Sequence, residues 1–182
     1  RATDGRTRKG NDDMKPSEGI TILALVRDRP GVLNRVSSMF RRRGFNITSL
    51  AVGNCEEPGM SRMTFVVEGD DSIVHQVVEQ LRKLIDIAVV QPLDRKFMIS
   101  RELALIRVKS DTSNRGEIRE IAELYRANII DVAHDSLIIE VTGDVAKVQS
   151  LNDLLSNFGV TELIRTGRVA MVRGMAQTSL RK

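Results

Sequence analysis

One succession of apolar patterns occurs twice along the chain, and it leaves few folds open. From Ile20, "ITILALV" is dense in β-branched residues and reads as a strand. "GVLNRVSSMFRRRG" then places Val32, Leu33, Val36, Met39 and Phe40 at helical spacing, with Gly44 as the stop. "FNITSLAVGNC" and "SRMTFVVEG" are strands on either side of the turn "EEPG". "DSIVHQVVEQLRKL" is a helix with Ile73, Val77, Val78 and Leu81 turned inward, and "IDIAVVQPL" is a strand ended by Pro92. After "DRKFMIS" the order repeats. "RELALIRVKS" is a strand, and "NRGEIREIAELYRA" is a helix offering Ile118, Ile121, Ala122, Leu124 and Tyr125. "NIIDVAHD" and "SLIIEVTG" are strands, "DVAKVQSLNDLLSNFG" is a helix, and "VTELIRTGRVAMVRG" is one last strand. The fold class is α+β: two ferredoxin-like βαββαβ units in tandem, each a four-stranded antiparallel sheet with two helices on one face. Single residues repeat too. Gly31 and Gly116 open the first helix of each half, and Asn46-Ile47 and Asn128-Ile129 follow it.

The boundaries that follow are 1–19 as a disordered lead almost free of apolar residues, 20–94 as the first unit, 95–174 as the second and 175–182 as a flexible tail. The first strand is apolar on both faces, since Leu23 and Leu25 alternate with Ile22, Ala24 and Val26. Both faces then need cover, and for units this small self-association is the economical source of it. A dimer is expected, its sheets joined edge to edge or across a shared face.

Composition narrows the chemistry. Cys55 is the single cysteine, so neither an intrachain disulfide nor a cysteine zinc cluster can form. That suits a reducing compartment, read as the bacterial cytoplasm with plastid or mitochondrion left open. Aromatics are 3% of residues and net charge is +4, a poor basis for stacking or funnelling nucleic acid. No apolar run reaches the roughly 20 residues that span a bilayer. His75 and His134 stand far apart, no nucleophile set assembles, and G-x-G-x-x-G is absent. "EGDDS" reads as a helix cap from Asp70 or Asp71 rather than a metal site.

One stretch invites a ligand. In "DRPGVLNRV", Pro30 suits a first helical turn and Gly31 lets a ligand approach the backbone. Free amides from Gly31 to Leu33 can receive an anion, and Asp28 just before them can receive a cation. An α-amino acid carries both. Asn46 can serve either group with its amide, and Ile47 adds backbone donors and acceptors, if the loop before the first helix and the start of the second strand lie close together. The same residues also fit an ordinary turn, with Asp28 capping the helix and Asn46 bonding locally.

"DRPGVLNRVSSMFRRRGFNITSLAVG", "SRMTFVV" and "QLRKLIDIAVV" resemble the small, regulatory subunit of acetolactate synthase (acetohydroxyacid synthase), whose first half is an ACT domain. "SRELALIRV", "RANIIDVAHDSLIIEVTGD" and "RTGRVAMVRG" resemble that family's second half, so the likeness covers about residues 20–174. It implies a chain without an active site or cofactor of its own. The partner would be a catalytic large subunit holding thiamine diphosphate, Mg²⁺ and FAD, which condenses two pyruvates, or pyruvate with 2-ketobutyrate, on the way to branched-chain amino acids. It further implies a homodimer through ACT domains and feedback inhibition, typically by L-valine. The effector positions carried over are Asp28, Gly31, Val32, Asn46 and Ile47, with Asp28 standing where some relatives have Asn. On the residues alone, a free-standing amino-acid-sensing module and a basic nucleic-acid binder stay open.

Overall fold

The computed structural model describes residues 19–174. The disordered lead and flexible tail expected from sequence lie outside the described residues, except Gly19, which is buried against Val66 and Val67. The first unit runs β1 (Ile20–Arg27), α1 (Val32–Arg43), β2 (Ile47–Asn54), β3 (Met60–Val67), α2 (Asp71–Arg82) and β4 (Ile87–Leu93). A 3-10 turn at Arg95–Phe97 leads into the second. There the order is β5 (Met98–Lys109), α3 (Arg115–Leu124), β6 (Asn128–Val132), β7 (Ser136–Gly143), α4 (Val145–Ser156), β8 (Val160–Arg165) and β9 (Val169–Val172). The sheets order as β2-β3-β1-β4 and β6-β7-β5-β8, every pairing antiparallel. These are the two βαββαβ units that the pattern predicts.

Each unit has its own aliphatic core. Ile22, Ala24 and Val26 of β1 pack with Val36, Met39 and Phe40 of α1 and with Val77 and Leu81 of α2. Phe40 stacks on Phe65 at 5.5 Å and meets Phe45 edge-on at 6.2 Å. Ile106, Ile118, Ile139, Leu151 and Leu155 anchor the second core. Gly44 ends α1 in the left-handed conformation, φ 68°, and Asp70 caps α2 by accepting from the amides of Ser72 and Ile73. Two expected core positions turn outward. Leu33 lies a third of a turn off the stripe of Val32, Val36, Met39 and Phe40, and Leu124 sits in the last turn of α3; both are exposed.

Four details differ from the sequence reading. Pro92 does not end β4; it pairs with Ile22 and the strand continues to Leu93, because β4 is an edge strand that can spare an amide donor. The last strand is two strands, broken at Gly167, φ 84°. β8 pairs with Ala104–Val108 of β5, whereas β9 pairs with Met98–Arg101. Gly116 is not the counterpart of Gly31: it lies inside α3, while Gly31 precedes α1 with φ 85°. Finally, cover for the outer face of the first sheet comes in part from the same chain. Leu23, Leu93 and Met98 form a buried cluster closed by Ala170 and Val172 of β9.

Candidate functional site

The loop between β1 and α1 is held from both sides. Arg27 donates its amide to the Asp86 carbonyl at 2.8 Å, and Asp28 donates its amide to the Gly59 carbonyl at 2.8 Å. Gly31 occupies the N-cap of α1, yet no side chain caps the helix and its first turn holds no acidic residue. Asp28 therefore does not cap α1, contrary to the ordinary-turn reading. α2 and α4, by contrast, are capped by Asp70 and Asp144. The positive end of the α1 dipole is left facing outward beside an exposed Gly31. Val32 is buried under it.

Asn46 and Ile47 are elsewhere. β1 and β2 both run antiparallel to β3, with Ile20 and Ile47 opposite Val67, and Arg27 opposite Met60. Asp28, Gly31 and Val32 thus sit at one end of the sheet, and Asn46 and Ile47 at the other. The twelve residues of α1 separate them by roughly 18 Å. The expectation that this loop and the start of β2 lie close together fails within one chain. Asn46 Nδ2 instead donates to Glu68 at 3.2 Å. Asn128 makes the same bond to Glu140, also 3.2 Å, in the second unit. The Asn-Ile repeat is therefore a joint between a strand start and its neighbour strand that both units use. Ile47 is half-buried on the first core.

Two family models divide the chain between them. Residues 22–89 match "AHAS small subunit-like ACT domain" and residues 101–174 match "Small subunit of acetolactate synthase". The chain belongs to the acetolactate synthase small-subunit family. A probable acetolactate synthase small subunit of Archaeoglobus fulgidus is 54% identical over 154 residues, covering 85% of this chain and 96% of that protein. One from Methanothermobacter thermautotrophicus is 45% identical, covering 89% and 96%. The crystal structure of the Thermotoga maritima acetolactate synthase small subunit is 41% identical. It superposes with a TM-score of 0.81 over 86% of this chain and 98% of that one. The first unit is accordingly the ACT domain of a regulatory subunit.

The structure adds residues to this ACT-domain loop that pattern reading missed. Arg35, one turn into α1, pairs with Asp86 (Nε 2.8 Å, Nη2 2.6 Å), and its Nη1 would lie 3.5 Å from a Cβ placed at Gly31. Asp86 is 6% exposed and its carbonyl also holds Arg27. One residue thus fixes both sides of the loop. The only sequence signal was an Asp in a turn 51 residues away from its partner. Among the described residues, no group of three or more His, Cys, Asp or Glu is placed to hold a metal ion.

Proposed function

We propose that this small subunit binds and activates a catalytic acetolactate synthase large subunit and renders it sensitive to a branched-chain amino acid such as L-valine. The effector site is shared between two copies. β2 is an edge strand of the first sheet, and α1 lies toward that edge because it connects β1 to β2 across β3. A two-fold pairing of β2 with its copy sets the two α1 helices antiparallel. The Gly31 end of one chain then meets the Asn46 end of the other. The α-carboxylate sits on the amides of Gly31 and Leu33 beside Arg35, since the Val32 amide donates to the Arg29 carbonyl at 3.3 Å; the ammonium group faces Asp28, and Val32 and the other copy's Ile47 wall the aliphatic side chain. The observation that carries this reading is that the two halves of the cradle lie at opposite ends of α1, so only a second copy completes it.

Occupancy then biases dimer geometry, which the large subunit reads as inhibition. Such couplings amount to about 1–3 kcal/mol. Thiamine diphosphate, Mg²⁺ and FAD belong to the large subunit, and this chain supplies regulation alone.

Complementation tests the shared site. Gly31→Asp adds a carboxylate where the effector's own would sit, and Asn46→Ala removes the opposite partner. Each homodimer should lose valine binding by calorimetry and valine inhibition of the reconstituted synthase, while activation of the large subunit persists. A mixed dimer of the two variants rebuilds one intact site and should recover half of the binding stoichiometry. No recovery in the mixture, with both variants folded, would place the site within one chain or elsewhere.

A further inference from the structure

The turn between β8 and β9 carries Arg168 into the seam between the two units. Arg168 is 8% exposed. Its Nη1 donates to Thr21 Oγ1 of β1 at 3.0 Å, and its amide donates to Ser49 Oγ of β2 at 2.8 Å. Its Nε is buried without a hydrogen-bond partner. Among the described residues no carboxylate pairs with it, since nearby Glu102 is held by Arg165. Burial first, and Arg95 second, push this guanidinium below its ordinary range. Arginine nevertheless stays charged in proteins, and a buried cation whose nearest carboxylate, Glu102, is shared with Arg165 is costly.

Arg168 lines a cleft of ≈ 200 Å³ together with Arg95, Ser100 and the start of α4: Asp144, Val145 and Ala146. Asp144 commits its carboxylate to the Lys147 amide at 2.8 Å. The amides of Val145 and Ala146 have no acceptor among the described residues. α4 is a full helix of twelve residues, so its N-terminal end carries a partial positive charge. Two independent features thus meet at one cleft: a buried guanidinium that has an unpartnered Nε and, among the described residues, no carboxylate directly paired with it, and a helix end with free donors.

We propose that this cleft binds a small tetrahedral oxyanion, a phosphate group, that ties the two units together. Donors arrive from three directions: Arg168 from the β8–β9 turn, Ser100 from β5, and the first amides of α4. That spread suits the oxygens of a phosphate better than the two coplanar oxygens of a carboxylate. Through Thr21 and Ser49, Arg168 relays the bound anion to the ACT sheet, so occupancy stiffens the seam that any signal between the units must cross.

The test uses the full chain at constant ionic strength, titrated with sodium phosphate, with sodium chloride and sodium acetate as controls. Phosphate should give saturable heat and a raised melting temperature that chloride and acetate do not. Arg168→Met should weaken phosphate binding roughly tenfold or more, while melting in phosphate-free buffer is unchanged or higher because the orphan charge is gone. Ser100→Ala, a milder change, should weaken binding and leave the fold intact, which covers the case of an Arg168→Met chain that does not fold. Glycerol phosphate separates the sources: tighter binding than inorganic phosphate identifies a phosphate monoester, and weaker binding identifies the free ion. Equal effects of phosphate and chloride, or phosphate binding untouched by both substitutions, would overturn the site. Valine binding at the ACT domain plays no part in this readout.

Discussion

At residue scale, Gly31 separates backbone strain from ligand chemistry. Its φ of 85° disfavours any L side chain, as does the φ of 94° at Gly159 in the second unit. Gly31→Ala and Gly159→Ala should each lose about 1–2 kcal/mol in urea unfolding, and only Gly31→Ala should lose valine binding. Loss in both would mean that the site responds to global stability. Asp86→Ala should cost about 1–2 kcal/mol, modest because its partner Arg35 is half exposed, and should weaken valine binding by freeing the loop. Acid should act through two other carboxylates. The Asp70 carboxyl is held below its usual 3.8, first by the Ile73 amide and then by Ser72; Ser113 does the same for Asp111. A depressed carboxylate stabilises the fold above its unfolded value and loses that contribution as pH falls through its folded value. Wild type and the double variant Asp70→Ala with Asp111→Ala should therefore differ in urea midpoint at pH 6, and the difference should shrink below the usual carboxylate range.

At the scale of elements, α1 and β2 divide the work. α1 buries Val32, Val36, Met39 and Phe40 and keeps a basic last turn, Arg41 to Arg43, which agrees with its dipole. One of these, Arg43, donates to Gln80 of α2 at 3.1 Å, so the basic end is partly a helix–helix tie. β2 remains an edge with Val52 half exposed. Val52→Lys places charge on that edge and should weaken self-association and valine binding together, read by sedimentation and calorimetry. A variant that dissociates yet binds valine with unchanged affinity would refute the shared site. The elements themselves were legible because each carries one clear period, with explicit signals at some ends: Gly44 after α1 and Asp70 or Asp71 before α2. Where legibility failed, a local rule met a tertiary fact. Pro92 breaks a central strand but not an edge, and Gly116 opens a helix in the sequence without leaving the helix in space.

At the scale of the molecule, the seam makes one body of two similar units. Leu23, fully buried in β1, packs with Met98 at the start of β5 and with Ala170 and Val172 from the far end of the chain. Leu23→Ala should cost about 2–5 kcal/mol. A chain ending after Thr166, which lacks β9, should show faster hydrogen exchange in β1 even though the ACT core is untouched. Unchanged exchange in β1 would show that β9 merely rests on the sheet. Apolar alternation in "ITILALV" announced that both faces needed cover, but not whose atoms would supply it.

Sequence alone settled the two units, their order, most of each aliphatic core, the Gly44 stop and the family, because hydrophobic period, turn chemistry and shared motifs are local properties of the chain. Tertiary structure decided the rest. It split the last strand so that one half, β9, pairs with the start of β5 and lays Ala170 and Val172 on the outer face of the first sheet. It buried Arg168 against Thr21 and Ser49 of the first sheet, and paired Arg35 with an Asp 51 residues away. Above all it set Gly31 and Asn46 at opposite ends of α1. Two residues only fifteen apart in sequence are carried apart by the helix between them, and sequence distance holds no record of that direction.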